Sequence, residues 1–87
     1  MKVNGVNVPE LAINAADTVM RRKVGFRVSN IAGVVEAFLD HGTKRSRQAL
    51  AHTVAERLIQ RARRAGEIGP LNAGVDRSPY WRWIGAK

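Results

Sequence analysis

Apolar residues recur at helical spacing in three stretches of the chain, and the predicted helices cover about residues 9–24, 30–40 and 44–65. In each helix these residues fall on one face, which we expect to pack against the core. The predicted core faces are, in chain order, Leu11, Ala12, Ala15, Ala16 and Val19; then Ile31, Val34, Val35, Phe38 and Leu39; then Leu50, Val54, Leu58, Ala62 and Ala65.

The starts of these helices carry residue types that favour helix N-termini. Pro9 suits a first helical position, Ser29 suits the N-cap of the second helix, and Thr43 or Ser46 suits that of the third. The third helix is long, so a second arrangement stays open, in which residues 46–52 form a separate short helix.

After the third helix the apolar residues no longer recur at helical spacing but alternate with polar ones, which predicts a β-hairpin. Its first strand covers residues 67–71 and lies at a sheet edge, because Pro70 has no backbone N–H to donate to a neighbour. Its second strand covers residues 80–84 and places Trp81 and Trp83 on one face. We expect these two rings to seal the small core, against Leu58 and Val35, rather than to stack on nucleic-acid bases.

The pattern indicates a single domain of the α+β class, mostly α-helical, because 87 residues are too few for two independent cores. A short arm or edge strand at 1–8 precedes three helices within 9–65, and the hairpin occupies 67–84.

Charge adds the first functional information. Fifteen lysines and arginines against seven acidic residues give a formal net charge of +8, and eleven of the fifteen are arginines. The planar guanidinium matches both phosphate oxygens and guanine edges. A small domain with clustered basic charge therefore predicts a polyanionic partner, of which nucleic acid is the most common.

Other classes of function find little support in the sequence. The chain has no cysteine and only two histidines, so we expect no metal site, no disulfide and no cofactor. It shows no cysteine nucleophile, no glycine-rich phosphate loop and no carboxylate pair with the spacing of an enzyme, and no small-molecule site is evident. It also lacks a signal-peptide pattern and an apolar run long enough for a membrane span. We therefore expect a cytoplasmic protein that is not an enzyme, and that is nucleoid-associated if it binds DNA.

Three segments carry a resemblance to a known superfamily: FRVSNIAGVVEAFL, SRQALAHTVAERLIQRARRAGEI and the closing YWRWI. Across about residues 9–84 the chain resembles the winged helix-turn-helix DNA-binding superfamily. The resemblance implies three helices with a C-terminal β-hairpin wing, and a recognition helix at about 44–65 that enters the major groove of DNA. The third helix is longer than most recognition helices, and the turn before it is basic rather than apolar.

Candidate contact residues follow from the position of each side chain on these elements. The first turns of a recognition helix approach base edges, whereas arginines elsewhere contact phosphates. The wing would contribute through its turn, and the start of the second helix offers free N–H groups, although capping explains its polar residues equally well. The base-reading candidates are Arg45, Arg47, Gln48, His52 and Thr53; the phosphate candidates are Arg27, Ser29, Asn30, Lys44, Arg57, Arg63, Arg64, Arg77 and Arg82.

The sequence thus favours a small bacterial or phage transcriptional regulator that binds double-stranded DNA, with a homodimer on a two-fold site as one arrangement. Two alternatives stay open: a basic RNA-binding or ribosome-associated protein, and a winged-helix protein–protein adaptor.

Overall fold

The computed structural model describes residues 2–3, 5–23, 25–39, 42–71 and 80–85. It contains three helices and two small antiparallel strand pairs, so the predicted α+β, mostly α-helical class with a C-terminal hairpin is confirmed. In chain order the elements are β1 Lys2–Val3, β2 Val6–Asn7, α1 Glu10–Arg22, α2 Val28–Glu36, α3 Lys44–Arg64, β3 Ile68–Pro70 and β4 Trp81–Trp83.

The N-terminal segment forms a hairpin that packs on the domain. β1 pairs with β2, and Gly5 in the turn between them has φ 79°, a conformation that glycine adopts without strain. Val3 and Val8 are buried in the same core as the helices. The predicted arm is therefore part of the packed structure.

Helix α1 starts directly after Pro9 and buries Ala12, Ala16 and Met20, which are spaced four residues apart. The prediction was wrong for Leu11, which is 68% exposed. The fully buried stripe of α1 is therefore narrower than the predicted face, since Ala15 and Val19 are half-buried.

Helix α2 starts and ends earlier than predicted. It begins at Val28, so Ser29 is its second residue and not its N-cap; the backbone N–H of Arg27 donates to Oδ1 of Asn30 at 3.0 Å instead. The helix stops at Glu36, and the chain then tightens into i→i+3 hydrogen bonds. After this tightening Phe38 is 38% exposed, contrary to its predicted core position, whereas Leu39 is buried.

Helix α3 is one continuous helix of 21 residues, about 30 Å long at 1.5 Å per residue. The alternative of a separate short helix at 46–52 is wrong. Thr43 is the N-cap, and its hydroxyl accepts a hydrogen bond from the backbone N–H of Ser46 at 3.1 Å. The helix buries Ala51, Val54, Ala55, Leu58, Ile59 and Ala62, whereas Leu50 is half-buried and Ala65 is exposed.

The C-terminal hairpin closes the core beside α1 and α3. Strands β3 and β4 pair antiparallel, with Ile68 opposite Trp83 and Pro70 opposite Trp81. Trp81 also exchanges two backbone hydrogen bonds with Phe26, at 2.7 and 3.0 Å, so the segment before α2 joins the same sheet. Both tryptophans are half-buried against the core cluster, as predicted, and Arg82 between them is exposed.

Candidate nucleic-acid interface

Most side chains in the first two turns of α3 are exposed. Lys44, Arg45, Ser46, Gln48 and Ala49 are exposed, Arg47 and Leu50 are half-buried, and the first fully buried side chain of the helix is that of Ala51. One side of this helix start is therefore open to solvent. The sequence gives this helix seven basic residues and one acid, a formal charge of +6 over its length.

Two of the base-reading candidates, Arg45 and Gln48, have exposed side chains. Arg47 differs, because it is half-buried and its Nη1 donates a hydrogen bond to the carbonyl of Gly42 at 2.8 Å. This bond ties the start of α3 to the preceding loop. Arg47 is therefore suited to fixing the position of the helix, and reading a base would require that bond to break.

The other two base-reading candidates lie further along α3. The hydroxyl of Thr53 donates to the carbonyl of Ala49 at 3.1 Å, and its side chain is half-buried. His52 is exposed, with Nε2 at 3.4 Å from Oε1 of Glu56, an ion pair when the imidazole is protonated. His52 is thus the more accessible of the two.

Arg57, Arg63 and Arg64 are all exposed along the second half of α3, as is Lys44 at its start. Arg61 is equally exposed, and the sequence reasoning did not select it. The spacing 57–61–64 places three of these arginines on neighbouring turns of one side of the helix. Of the predicted phosphate candidates of α3, Arg57 and Arg64 therefore share one side of the helix, whereas Arg63 lies over Trp81.

The phosphate candidates before and at the start of α2 differ in how free their side chains are to contact a ligand. Arg27 is exposed, with its guanidinium carbon 5.7 Å from the centre of the Tyr80 ring. Ser29 is exposed, whereas the side chain of Asn30 already accepts the Arg27 N–H. Arg82 is exposed on β4, and the predicted wing contact Arg77 lies outside the described residues.

Each of the three aromatic residues at or next to β4 lies against the guanidinium of an arginine from another part of the fold. Arg21 of α1 lies over Trp83 at 4.7 Å, and Arg63 of α3 lies over Trp81 at 5.7 Å, in addition to the Arg27–Tyr80 contact. Such cation–π contacts restrain a long side chain while its charge stays near solvent. The sequence reasoning missed these contacts, because residues between 18 and 62 positions apart in the chain meet only through the fold.

An open groove of about 770 Å³ runs beside α3, and its walls include Val28 at the start of α2 and Trp81 of β4. On the helix side it is lined by Thr53, Glu56, Gln60 and neighbouring arginines. The hairpin and the start of α2 therefore border the exposed side of α3, and the surface between them is concave.

The described part of the chain contains no group of three or more metal-ligating side chains. Within the same residues, no helix is long and apolar enough to cross a membrane.

Comparison with known proteins found no matching family model, no matching curated protein and no matching solved structure. The partner of this chain must therefore be inferred from its own residues.

Proposed function

We propose that this protein binds duplex DNA and inserts the N-terminal turns of α3 into the major groove. The observation that carries the proposal is the uncovered start of this helix, where Arg45 and Gln48 are exposed beside the small Ala49. The major groove of B-DNA admits an α-helix, and a small residue lets the helix backbone approach the base edges. Arginine pairs with guanine and glutamine with adenine through two hydrogen bonds each.

The charge of α3 supplies the sequence-independent part of the binding. Each phosphate that an arginine or lysine neutralises releases condensed counterions, which makes association favourable and dependent on salt. Arg57, Arg61 and Arg64 are exposed on the second half of the helix, away from Arg45 and Gln48. In this docking they lie along the phosphate backbone and orient the protein without reading sequence.

The remaining candidates take supporting roles. Arg47 ties the start of α3 to the preceding loop through its hydrogen bond to the Gly42 carbonyl, and the Thr53 hydroxyl is bound to the carbonyl of Ala49 within the helix. Arg82 on β4 contacts the flanking backbone, and Arg77, which lies outside the described residues, stays a predicted phosphate contact. The protein then acts as a small bacterial or phage regulator in the nucleoid, and two copies on a two-fold site would compensate for the small contact area of one domain.

A duplex fits these features better than the alternatives do. The deep, narrow major groove of A-form RNA excludes side chains, so the exposed start of α3 would find no bases to read there. An adaptor that binds an acidic protein would use the same arginines, but it would not require exposed side chains in the first two turns of α3.

Competition binding tests the proposal. A fluorescent duplex carrying a selected site is displaced by unlabelled duplex, by an RNA hairpin or by an acidic polypeptide, and the duplex should compete best. Arg45→Ala should weaken binding to the selected site. Arg22→Ala, which removes the same charge from the exposed end of α1, is the matched control and should have a smaller effect. Stronger competition by the RNA or the polypeptide would refute the duplex assignment.

A further inference from the structure

Glu56 is the one acidic residue among the 21 residues of α3. Its side chain is 57% exposed, and at 100° per residue it lies on the same side of the helix as Arg45, Ala49 and Gln60. A carboxylate on the most basic helix of the described structure opposes phosphate binding, so its position calls for a chemical reason.

The helix itself does not neutralise this carboxylate with a lysine or arginine. Its neighbours one turn away, at i±3 and i±4, are His52, Thr53, Ile59 and Gln60. Among the described residues its ion-pair partner is His52, at 3.4 Å, and that contact is an ion pair only when the imidazole is protonated. The carboxylate is therefore available to a ligand that approaches α3.

We propose that Glu56 is a specificity-determining residue that accepts a hydrogen bond from the N4 amino group of a cytosine in the major groove. This inference rests on the proposed docking of α3. An ionised carboxylate only accepts hydrogen bonds. Cytosine presents a donor in the major groove, guanine presents acceptors at N7 and O6, thymine presents the O4 acceptor, and adenine presents one donor beside one acceptor.

The same carboxylate discriminates by repulsion. Facing guanine or thymine, it would place its charge against an acceptor after losing hydration, and such an unfavourable contact rejects the wrong base. Facing a phosphate, it would repel the backbone. Of the surfaces a duplex offers, a cytosine edge is thus the one that Glu56 matches without an opposing acceptor.

The location of the base pair read by Glu56 follows from the helix. Glu56 lies eight residues beyond Gln48, about 12 Å along the axis. Base pairs are stacked about 3.4 Å apart. Because a helix in the major groove lies at an angle to the DNA axis, the cytosine should lie no more than about three or four base pairs from the pair that Gln48 contacts.

The test compares wild-type protein with Glu56→Gln on a selected duplex and on versions with each base pair changed singly. We expect a wild-type preference for cytosine of about 5- to 150-fold at one position. In Glu56→Gln this preference should fall there and shift towards adenine, because a glutamine amide both donates and accepts. Glu10→Gln, which removes the same charge from the exposed first turn of α1, should keep the wild-type preference.

Tighter binding of Glu56→Gln to all duplexes alike, with the base preferences unchanged, would overturn the inference and leave the proposed DNA binding intact. Failure of the wild-type protein to bind any duplex would overturn both. The side chain is exposed, so the variant should fold normally, and its thermal unfolding should match that of the wild type.

Discussion

Replacing Gln48 and Arg64 separately distinguishes the residues that read sequence from those that only attract DNA. Both side chains are exposed, and they lie 16 residues apart on one continuous helix, about 24 Å along its axis. Neither appears in a cation–π contact with β4, unlike Arg63, nor in a hydrogen bond to the preceding loop, unlike Arg47. Their substitution by alanine should therefore disturb the fold little.

The two substitutions should affect different properties of DNA binding, namely base discrimination for Gln48 and overall affinity for Arg64. If Gln48 makes two hydrogen bonds to one base, Gln48→Ala should reduce discrimination at that base pair by about 1–3 kcal/mol and affect other positions little. If Arg64 contacts one phosphate, Arg64→Ala should weaken binding to all sequences alike. It should also make the log–log salt slope shallower by about 0.9.

The assay is fluorescence anisotropy with a selected duplex, its single base-pair variants and a scrambled duplex, each at two salt concentrations. Arg22→Ala on α1 controls for the loss of one exposed charge. If Arg64→Ala loses discrimination and Gln48→Ala does not, α3 docks in the opposite direction. If both variants weaken all duplexes uniformly, the protein binds DNA without sequence preference, and the proposed regulator function is refuted.

Three further predictions concern stability, measured by chemical denaturation. Thr43→Ala removes the N-cap of α3 and should lower the free energy of unfolding by about 1 kcal/mol. The control Thr18→Ala, inside α1, should leave that free energy unchanged or raise it, since alanine favours helix. Equal losses of stability in the two variants would contradict the capping role of Thr43. Trp83→Ala removes a half-buried ring and should cost about 2–3 kcal/mol, less than the about 3–5 expected for a fully buried aromatic residue. A folded Trp83→Ala protein that no longer binds DNA would instead indicate base stacking. Leu58→Ala, at a side chain only 2% exposed, should cost about 2–5 kcal/mol, and a smaller loss would contradict its place in the core.

The elements of the fold that could be predicted are those that local sequence patterns determine. Helical spacing and the cap at Thr43 located α3 correctly, and alternation around Trp81 and Trp83 located β4. The end of α2 could not be predicted, because the apolar residues at Phe38 and Leu39 continue the helical pattern while the backbone tightens after Glu36. Tertiary packing decides such an end, and no capping residue in the sequence marks it.

The basic character of α3 was predictable from the sequence, but the surroundings of its individual arginines were not. The clustering of arginine identified α3 as the basic element. The bond between Arg47 and the Gly42 carbonyl, and the stacking of Arg63 on Trp81, depend on how separate elements meet. Those contacts show that arginines that look equivalent in the sequence differ in their freedom to reach a ligand.

The salt dependence of duplex binding tests the central claim most directly. Anisotropy titrations of one duplex across a series of salt concentrations, with an RNA hairpin of equal length in parallel, give the slope of log affinity against log salt. With six phosphates contacted by the arginines and lysines of α3 and its surroundings, the account predicts a slope of about −5 and tighter binding to the duplex than to the RNA. A flat response, absence of duplex binding at low salt, or tighter binding to the RNA would contradict it.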